Sequence, residues 1–383
     1  MNDYPVISWI EAGEEKSARW RSENGMPPPK HVLIADDRMT ADTAYRLACE
    51  GNALLWRGDF QNARQLLHAM ARRIDKKPRK RKTKKTAATT PVEIFHLHRL
   101  AQSQRARTLG MLLLPFEADH SVPLHRAPDV HLACLNAYGA STEPYIASLR
   151  GLQGIIGAYE WRKKGIAIPV LDARIHPHYG VFAPIRSEYI ALAAKMPLPK
   201  LTTTQSVAFD IGTGTGVLAA VLARRGIQRI IATDQDMRAL NCARENLTQL
   251  GVAAQVSLVQ ADLFPKGRAS LIVCNPPWIP ARPSSPLEHA IFDPESRMLK
   301  GFLNGLSTHL APGGEGWLIL SDFAEHLGLR TRAELLAAID AAELRALNKS
   351  DVKPHHPRVS DTSDPLHAAR AAERTSLWRL TAK

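Results

Sequence analysis

Residues 206–234 read SVAFDIGTGTGVLAAVLARRGIQRIIATD, and this stretch decides the fold. The apolar run SVAFD leads into a glycine-rich turn, a helical repeat of Ala, Leu and Val follows, and a second apolar run, QRIIATD, ends in an acid. Short, continuously apolar runs separated by a helix are typical of parallel strands that are covered on both faces. The stretch therefore predicts a strand, a crossover helix and a second, parallel strand.

The same alternation continues toward the C-terminus. Further strand-like runs are AQVSLVQAD, ASLIVCNPP and GEGWLILS, and the helical repeats MRALNCARENLTQLG and SRMLKGFLNGLSTHL lie between them. A helical run, TRAELLAAIDAAELRAL, and a last strand, SLWRLTA, follow. This alternation predicts an α/β fold over residues 171–383, with a Rossmann-like sheet and helices on both of its faces.

The first 170 residues carry a different pattern. In residues 41–74, ADTAYRLACEGNALLWRGDFQNARQLLHAMARRI, apolar side chains recur mostly at helical spacing, which predicts a mainly helical N-terminal region over residues 1–75. Residues 76–90 are basic and polar and have nothing to bury, so they are predicted to form a flexible linker. Residues 91–170 are predicted to be an auxiliary, mostly helical region for substrate recognition, with a helix that ends at Pro115.

Composition limits the class of protein. The chain has 383 residues, and its 23% of charged residues is close to the globular average, which excludes a wholly disordered protein. The formal charge is +13, and eight of the Lys and Arg residues lie in residues 76–85 (KKPRKRKTKK), so the remainder carries +5. This basic run either binds nucleic acid phosphates or is a solvated linker.

Cysteine usage and hydropathy bear on metal sites and on location. The cysteines form no CxxC pair, which favours neither a zinc site nor a disulfide framework. They are Cys49, Cys134, Cys242 and Cys274. No run approaches 18 apolar residues, and the N-terminus has acids where a signal peptide is basic. We therefore expect a cytoplasmic protein without a membrane segment or a metal.

A glycine loop follows the first predicted strand of the 206–234 stretch. Glycine lets a ligand approach the backbone closely, and the N-terminus of the next helix offers unpaired N–H groups. The spacing is G-x-G-x-G with Asp210 before it, whereas a dinucleotide site has G-x-G-x-x-G. An acid at this place repels a pyrophosphate and suits a ligand with an amino group. The loop residues are Gly212, Thr213, Gly214, Thr215 and Gly216.

Two more acids lie at the ends of the next predicted strands. Asp234 can accept hydrogen bonds from both hydroxyls of a ribose, and Asp262 lies beside a possible adenine slot. Asp236, by contrast, is predicted to cap the helix that follows. A site with three acids and a glycine loop suits a cationic ligand with ribose and adenine, and S-adenosylmethionine fits it better than a nicotinamide or ATP.

The fourth predicted strand ends in a motif with its own chemistry, Asn275, Pro276, Pro277 and Trp278. Two prolines forbid helix and fix φ, so the Asn275 side chain and the nearby carbonyls are rigid acceptors. A planar NH2 group is a poor nucleophile, and two acceptors on its hydrogens would orient its nitrogen toward a methyl donor. No strong general base is required, because transfer from a sulfonium relieves the positive charge on sulfur and the nitrogen can lose its proton late, and positioning does most of the work. Trp278 can offer a flat surface for stacking.

Residues 181–320 resemble the class I S-adenosylmethionine-dependent methyltransferases, and among them the HemK-like enzymes that methylate the glutamine amide of polypeptide chain release factors. The resemblance is carried by FDIGTGTG, IIATD, QADLF and NPPWIP, in the order of the family, and by VFAPIRSE at residues 181–188. It implies cofactor contacts at Asp210, residues 212–216, Asp234 and Leu263. It also implies that residues 275–278 hold the target amine.

Two departures from the family keep the target open. The HemK-like motif usually ends in Tyr where this chain has Trp278, and the family's small N-terminal helical domain has no recognisable match in the first 170 residues. The resemblance favours a glutamine amide in a release factor or another protein. The alternatives are an exocyclic amine of adenine or guanine in RNA or DNA, with the basic linker on the nucleic acid, and a non-catalytic cofactor-binding module.

The remaining polar groups receive no catalytic role. His176 and His178, and likewise His355 and His356, lie in loops that contain proline and lack a Cys or carboxylate at ligand spacing, so they are expected to be exposed or hydrogen-bonded rather than bound to a metal. Three acids after the Asn-Pro-Pro-Trp motif are expected on a substrate lid. They are Glu288, Asp293 and Glu295.

Overall fold

The computed structural model describes residues 4–76, 90–200, 206–284, 288–355 and 359–383. These residues form two compact units. Unit 1 comprises residues 4–76, 96–160 and 284, and unit 2 comprises residues 90–95, 161–200, 206–283, 288–355 and 359–383. All of the predicted basic linker except its end residues lies outside the described part of the chain.

Unit 1 is built on six strands rather than on helices alone. Its elements are β1 (Val6–Glu11), β2 (Glu14–Arg21), β3 (His31–Ala35), α1 (Ala41–Cys49), β4 (Asn52–Trp56), α2 (Phe60–Asp75), β5 (Leu112–Phe116), α4 (His131–Tyr138) and β6 (Tyr145–Ser148). Two further helices have residues in both units, α3 (Pro91–Gly110) and α5 (Leu149–Lys164).

The strands of unit 1 form one sheet in the order β1-β2-β6-β5-β4-β3, so the prediction of a mainly helical region over residues 1–75 is wrong. The error lies in NALLW, which is strand β4 and pairs in parallel with β3 and β5. Residues 53–56 are almost fully buried. A strand that is buried on both faces shows no alternation of polar and apolar positions. Over so short a run, such a strand cannot be distinguished from a buried helix by the spacing of its apolar residues.

Residues 91–170 are likewise not a separate region, because β5 and β6 belong to the same sheet as β1 to β4. The helix predicted to end at Pro115 ends at Gly110, and Pro115 lies inside β5. Leu113 is the last residue of β5 that pairs with β4. Pro115 comes after this pairing has ended, so its missing backbone N–H removes no hydrogen bond to β4. The proline therefore interrupts no ladder with β4.

Unit 2 contains the predicted α/β fold. Its elements are β7 (Ile166–Ile168), β8 (Ala173–Ile175), α6 (Glu188–Lys195), β9 (Val207–Ile211), α7 (Val217–Arg224), β10 (Arg229–Asp234), α8 (Met237–Gln249), β11 (Val256–Gln260), β12 (Ala269–Cys274), α9 (Arg297–His309), β13 (Leu310–Ser321), α10 (Phe323–His326), α11 (Arg332–Ala341), β14 (Leu344–Val352), α12 (His367–Ala372) and β15 (Thr375–Ala382).

The main sheet of unit 2 has the order β11-β10-β9-β12-β13-β15-β14. The first five of these strands are parallel, and β15 pairs antiparallel with both β13 and β14. The chain starts in the middle at β9, runs outward to β11 and then returns to β12 on the other side of β9. This reversal makes the carboxyl ends of β9 and β12 the switch point at which open α/β sheets bind ligands.

Both faces of this sheet are covered by helices, as the sequence predicts. In β12, Leu271 and Val273 pack in the cluster that contains α7 and α8, whereas Ile272 and Cys274 pack in the cluster that contains α9 and α11. Successive side chains of a strand point to opposite faces, so an apolar run such as ASLIVC is needed to fill both clusters. The strands and helices predicted from SVAFD to GEGWLILS are all present.

The helical run predicted over TRAELLAAIDAAELRAL is too long. Helix α11 ends at Ala341, Glu343 adopts a left-handed φ of 55°, and strand β14 begins at Leu344. Strand β14 lies at the edge of the sheet, and most of its residues are exposed or half-buried. Such an edge strand has no apolar alternation by which the sequence could reveal it. The last strand, SLWRLTA, is confirmed as part of β15.

The described residues contain neither a membrane-spanning helix nor a cluster of metal ligands. Across the described ranges of the chain, none of the helices has both the length and the apolar character that a membrane span requires. Within the same ranges, the His, Cys, Asp and Glu side chains form no group of three that could hold a metal ion.

A close approach of helix α9 to strand β13 gives a test of the core. A Cβ atom at Gly316 would lie 2.3 Å from Cδ2 of the buried Leu306, so Gly316→Ala must displace either this side chain or the helix that carries it. We expect a loss of about 1–3 kcal/mol in the free energy of unfolding, measured by urea denaturation. Gly157→Ala is the matched control, because a Cβ there would meet no atom within 4 Å, and it is expected to be neutral or stabilising. An unchanged midpoint for Gly316→Ala would contradict this packing.

Candidate cofactor and acceptor site

The register of two neighbouring strands brings the glycine loop and the Asn-Pro-Pro-Trp motif together. Ile211 of β9 pairs in parallel with Cys274 of β12. The next residues along the two strands are Gly212 and Asn275, so the loop and the motif leave the sheet side by side at the switch point. The sequence places each of them at the end of a strand, and the pairing makes those strands neighbours.

Positive φ angles shape the glycine loop. Gly212, Gly214 and Gly216 have φ values of 70°, 54° and 80°, which side chains with a Cβ rarely adopt. A Cβ at Gly212 would also lie 2.6 Å from Cε of Met298, whereas a Cβ at Gly214 would meet no atom within 4 Å. The Thr213 N–H donates to the Thr233 carbonyl at 2.8 Å. The loop is therefore fastened to β10 and has open space at Gly214.

Asp210 lies beneath this loop and is fully buried. Its Oδ2 accepts hydrogen bonds from Oγ1 of Thr213 at 2.7 Å and from the N–H of Ala219 at 3.0 Å. Its Oδ1 has no hydrogen-bond partner among the described residues. Burial, with a smaller contribution from the charge of Asp234, raises the pKa of Asp210 to about 6. One oxygen of Asp210 thus holds the loop while the other keeps its lone pairs open.

Asp234 fastens the opposite side of the loop. Its Oδ2 accepts from the Gly214 N–H at 3.0 Å, and its Oδ1 accepts from the Asp236 N–H at 3.0 Å. Burial raises the pKa of this carboxyl group as well. Asp236 caps helix α8 by accepting from the Arg238 N–H at 2.8 Å, as predicted. Each oxygen of Asp234 retains a lone pair for a further donor.

Asp262 and Leu263 follow strand β11 and differ in their surroundings. The Asp262 carboxylate lies at the surface, where it forms an ion pair with Arg297. Leu263 has a left-handed φ of 75°, and its carbonyl accepts from Oγ1 of Thr233 at 2.6 Å. Strained backbone of this kind is concentrated at binding sites. The hydrogen bond to Thr233 links this turn to β10.

The acceptor motif forms an internal hydrogen bond that the sequence does not reveal. Nε1 of Trp278 donates to Oδ1 of Asn275 at 2.9 Å, so the side-chain amide of Asn275 has a fixed orientation. Pro276 is buried and Pro277 is half-buried. The guanidinium of Arg186 lies 5.0 Å from the centroid of the Trp278 ring. One face of the predicted stacking surface is therefore already covered by a cation.

Sequence reasoning missed the network that holds Arg186. Its guanidinium donates to Oε1 of Glu188 at 2.8 Å, to Oε1 of Glu373 at 2.9 Å and to Oγ1 of Thr375 at 3.3 Å. Glu373 is only 2% exposed and also accepts from Oγ of Ser321 at 2.5 Å. Arg186 does lie in the quoted segment VFAPIRSE. Glu373 is 187 residues further on, so no local spacing could connect the two.

The predicted lid is anchored by one of its own acids. Asp293 is buried, and its two carboxylate oxygens accept from the N–H groups of Met298 at 2.9 Å and Leu299 at 3.1 Å, which caps helix α9. Asp293 is therefore fixed to the start of helix α9, and the expectation that the three acids lie on a substrate lid stays a prediction. Glu288 is half-buried and Glu295 is exposed. The sequence could not show that the acid is aimed at the helix N-terminus.

The histidines named from the sequence bond to protein groups. Nδ1 of His176 lies 2.7 Å from the carbonyl oxygen of Arg162, and Nε2 of His178 lies 2.8 Å from Oε2 of Glu245. His355 is exposed, and His356 falls outside the described residues.

The buried carboxyl group of Asp210 predicts how the free energy of unfolding changes with pH. Its pKa is about 6 in the folded chain and near 3.8 when unfolded, so the folded state binds more protons between these values and stability falls as the pH rises through them. Asp210→Asn removes this titration. We expect the free energy of unfolding of the variant, relative to the unaltered chain, to increase by up to about 3 kcal/mol between pH 4 and pH 7.5.

The measurement is urea denaturation at a series of pH values. The control is Asp340→Asn, whose carboxylate is 76% exposed, and its stability relative to the unaltered chain should not vary with pH by more than a few tenths of a kcal/mol. A difference between Asp210→Asn and the unaltered chain that is constant with pH would show that Asp210 does not titrate in this range.

The known proteins that this chain resembles are methyltransferases. Residues 172–339 match the family described as methyltransferase small domain. The chain is similar to the release factor glutamine methyltransferase of Cereibacter sphaeroides, with 38% identity over 36% of this chain and 48% of that protein. It is also similar to the ribosomal protein L11 methyltransferase of Pelotomaculum thermopropionicum, with 42% identity over 20% of this chain and 26% of that protein.

A third relative is named as a methyltransferase of a tRNA. The tRNA1(Val) (adenine(37)-N6)-methyltransferase of Vibrio campbellii is 37% identical over 19% of this chain and 33% of that protein. The chain thus spans about half, or less, of the length of these three relatives. The matches to methyltransferases support S-adenosylmethionine as the cofactor. Residues 172–339 are therefore similar to the methyltransferase small domain family, and the match to a release factor glutamine methyltransferase supports the resemblance to HemK-like, class I S-adenosylmethionine-dependent methyltransferases that the sequence predicts.

Proposed function

We propose that this chain transfers a methyl group from S-adenosylmethionine to the planar NH2 nitrogen of a glutamine side chain in a protein. The observation that carries the proposal is the position of Asn275. Its side-chain oxygen is fixed by Trp278, and it leaves the sheet next to the glycine loop because Ile211 and Cys274 pair. A methyl donor on the loop and an amide on the motif would then meet at the switch point.

The residues around the loop suit this cofactor. The unpartnered Oδ1 of Asp210 is available for the amino group, and Asp234 has lone pairs left for the ribose hydroxyls. The space at Gly214 allows close approach to the backbone. The left-handed turn at Leu263 belongs to the adenine side, and the exposed Asp262 lies next to it. Thr213, Thr215 and the glycines supply the backbone of the cradle.

The acceptor chemistry follows from Asn275. The bound cofactor supplies an electrophilic methyl group on a positively charged sulfur. Oδ1 of Asn275 uses one lone pair for Trp278 and keeps the other for an amide hydrogen of the substrate, and a backbone carbonyl of the Pro276–Pro277 segment would take the second hydrogen. Gripping both hydrogens would hold the nitrogen in line with the methyl and stabilise the charge that develops there. The methylated nitrogen would then release one of these hydrogens to water as a proton, and the sulfur would be left neutral.

The network around Arg186 positions the acceptor. Its guanidinium is held by Glu188, Glu373 and Thr375. It packs on the ring of Trp278, whose Nε1 fixes Oδ1 of Asn275. A side chain held in this way keeps the acceptor in place without reorganisation during the reaction, and loss of the cation would loosen it.

A glutamine amide is the target that these features suit best. The relative with the longest of the three matches is a release factor glutamine methyltransferase. Arg186 covers one face of Trp278, so less of the ring remains for stacking on a base. An amide needs only the two acceptors on its NH2 group.

An exocyclic amine in nucleic acid is a second candidate. Eight basic residues in 76–85 supply much of the charge of +13, and such a run attracts phosphates. The similarity to a tRNA adenine methyltransferase points the same way. Its test is the nuclease arm of the experiment below.

Replacement of Asn275 tests the proposed acceptor. Asn275→Ala should lower the transfer of radiolabelled methyl groups into whole-cell extract by about a hundredfold or more, because the amide loses its main acceptor. S-adenosylmethionine affinity, measured by calorimetry, should stay within about threefold. Asn304→Ala, at an exposed position of α9, is the control with unchanged transfer.

The fate of the label identifies the substrate class. Loss of the label on protease treatment supports the glutamine assignment, and loss on nuclease treatment supports the second candidate. Full activity of Asn275→Ala would refute the acceptor assignment. Cofactor binding without label in either fraction would point to a non-catalytic module.

Replacement of Arg186 tests the network. Arg186→Met should reduce transfer about tenfold at unchanged cofactor affinity, and it should also destabilise unit 2 because Glu373 is left buried without its cation. The double variant Arg186→Met, Glu373→Gln removes that charge and should recover thermal stability without recovering transfer. Recovery of both would show that Arg186 acts only on stability.

A further inference from the structure

Unit 1 contains a cavity of about 560 Å³ that the proposed mechanism does not use. Its walls come from the turns that follow the parallel strands β3 and β4, from the first turn of helix α2 and from the loop between β5 and α4. The carboxyl ends of parallel strands form the edge at which open α/β sheets bind ligands. A cavity of this volume has room for a small organic ligand.

One buried carboxylate, Asp59, holds two side chains at this cavity. Its Oδ1 accepts from the N–H groups of Gln61 and Asn62 at 2.8 Å and 3.4 Å, which caps helix α2. Its Oδ2 accepts from Nε of Arg126 at 2.6 Å and lies 2.7 Å from Nδ1 of His125. The Arg126 guanidinium keeps the pKa of Asp59 well below its usual range, so this carboxylate is ionised.

Two arginines that line the cavity have donors left for a ligand. Nη1 and Nη2 of Arg126 take no part in the bond to Asp59, and this side chain is 55% exposed. Arg57 is bonded to Glu11 through Nε and Nη2 at 2.8 Å and 2.7 Å, and Nη1 takes no part in that pair. Each guanidinium is thus held by an acid on one edge. The remaining N–H groups suit an acceptor-rich group such as a phosphate.

Two other lining residues offer acceptors. Oδ1 of Asp37 accepts from the Asp59 N–H and from Nδ2 of Asn62, both at 3.0 Å. Oδ2 of Asp37 accepts from the same backbone N–H at 3.2 Å and keeps a lone pair. The amide oxygen of Asn62 takes no part in its bond to Asp37. These two oxygens suit hydroxyl groups.

The charges of the lining side chains balance, and this limits the kind of ligand. The two arginines are matched by Asp37 and Asp59, and the charge of Asp37 acts on Arg126 across space. Such a cavity suits a ligand with both acceptors and donors better than an isolated anion. A ribonucleotide has a phosphate, two ribose hydroxyls and a base with an apolar face. Pro123 and Leu124 add apolar surface to the lining.

We infer that this cavity binds a ribonucleotide, with its phosphate on Arg57 and Arg126 and its ribose hydroxyls on Asp37 and Asn62. A free mononucleotide and a nucleotide of single-stranded RNA present the same groups, and both are sources of such a ligand. The inference goes beyond the proposed function, because it concerns unit 1 and involves no methyl transfer.

Titration calorimetry on the full chain tests the phosphate contact. Saturating S-adenosylhomocysteine occupies the cofactor site, and the probes are uridine 5′-monophosphate, uridine and inorganic phosphate. The monophosphate should bind about tenfold tighter than either of the other two, because it alone reaches both sets of groups. Arg126→Gln should weaken the monophosphate about tenfold and leave uridine unchanged. Arg46→Gln is the matched control, because Arg46 is an exposed arginine of the same unit that is already paired with Glu50.

A second pair of probes tests the ribose contact and distinguishes the two sources. The probes are hexauridylate and its 2′-deoxy counterpart, whose phosphates meet the basic residues 76–85 alike, so the ratio of their affinities reports the ribose hydroxyls. If the ligand is RNA, the ratio should be about five, and Asp37→Asn should lower it to about one. Asp36→Asn, at a neighbouring exposed acid, should keep it. A ratio of one for the unaltered chain, with a monophosphate affinity that depends on Arg126, identifies a free mononucleotide.

Three outcomes would overturn the inference. The first is a monophosphate that binds no tighter than inorganic phosphate, together with a hexamer ratio of one. The second is binding that neither Arg126→Gln nor Asp37→Asn alters. The third is an equal loss of monophosphate and uridine in Arg126→Gln at a lowered melting temperature, which would make Arg126 a structural residue. None of these readouts involves methyl transfer, so each leaves the glutamine assignment standing.

Discussion

The parallel pairing of β9 with β12 is the constraint on which the rest of unit 2 depends. It places Ile211 beside Cys274, and so it puts the glycine loop and the Asn-Pro-Pro-Trp motif at one edge, although 62 residues separate Gly212 from Asn275. The reversal of strand order at this pair opens the crevice between them. Without this pairing the loop and the motif would be two unrelated turns.

The candidate site is held by buried charges that reduce stability as well as shape it. Asp210 and Asp234 both have raised pKa values because they are buried, and yet they bond the glycine loop from two sides. Glu373 is buried as well and depends on Arg186. Such groups are retained where binding needs them, and the apolar clusters on the two faces of the sheet offset their cost.

The sequence predicts the elements of unit 2 better than those of unit 1, for a physical reason. In unit 2 each parallel strand ends in a recognisable signal, a glycine loop, an acid or a Pro-Pro pair, so strand boundaries and site residues could be predicted together. In unit 1 the inner strand NALLW is buried on both faces and begins two residues after helix α1 ends, so its apolar run extended the helical pattern. One partner of β4 is strand β5, and both β5 and the strand β6 that pairs with it come from beyond residue 110.

The sequence by itself determined the α/β class of residues 171–383, the glycine loop with its acids and the acceptor motif, because each depends on neighbouring residues and on side-chain periodicity. Only the tertiary structure decided that Trp278 bonds to Asn275 beneath Arg186, that Glu373 holds Arg186, and that Asp59 holds Arg126. The last two of these features depend on residues that are distant in the sequence and on the burial of their charged groups. No local sequence pattern encodes either.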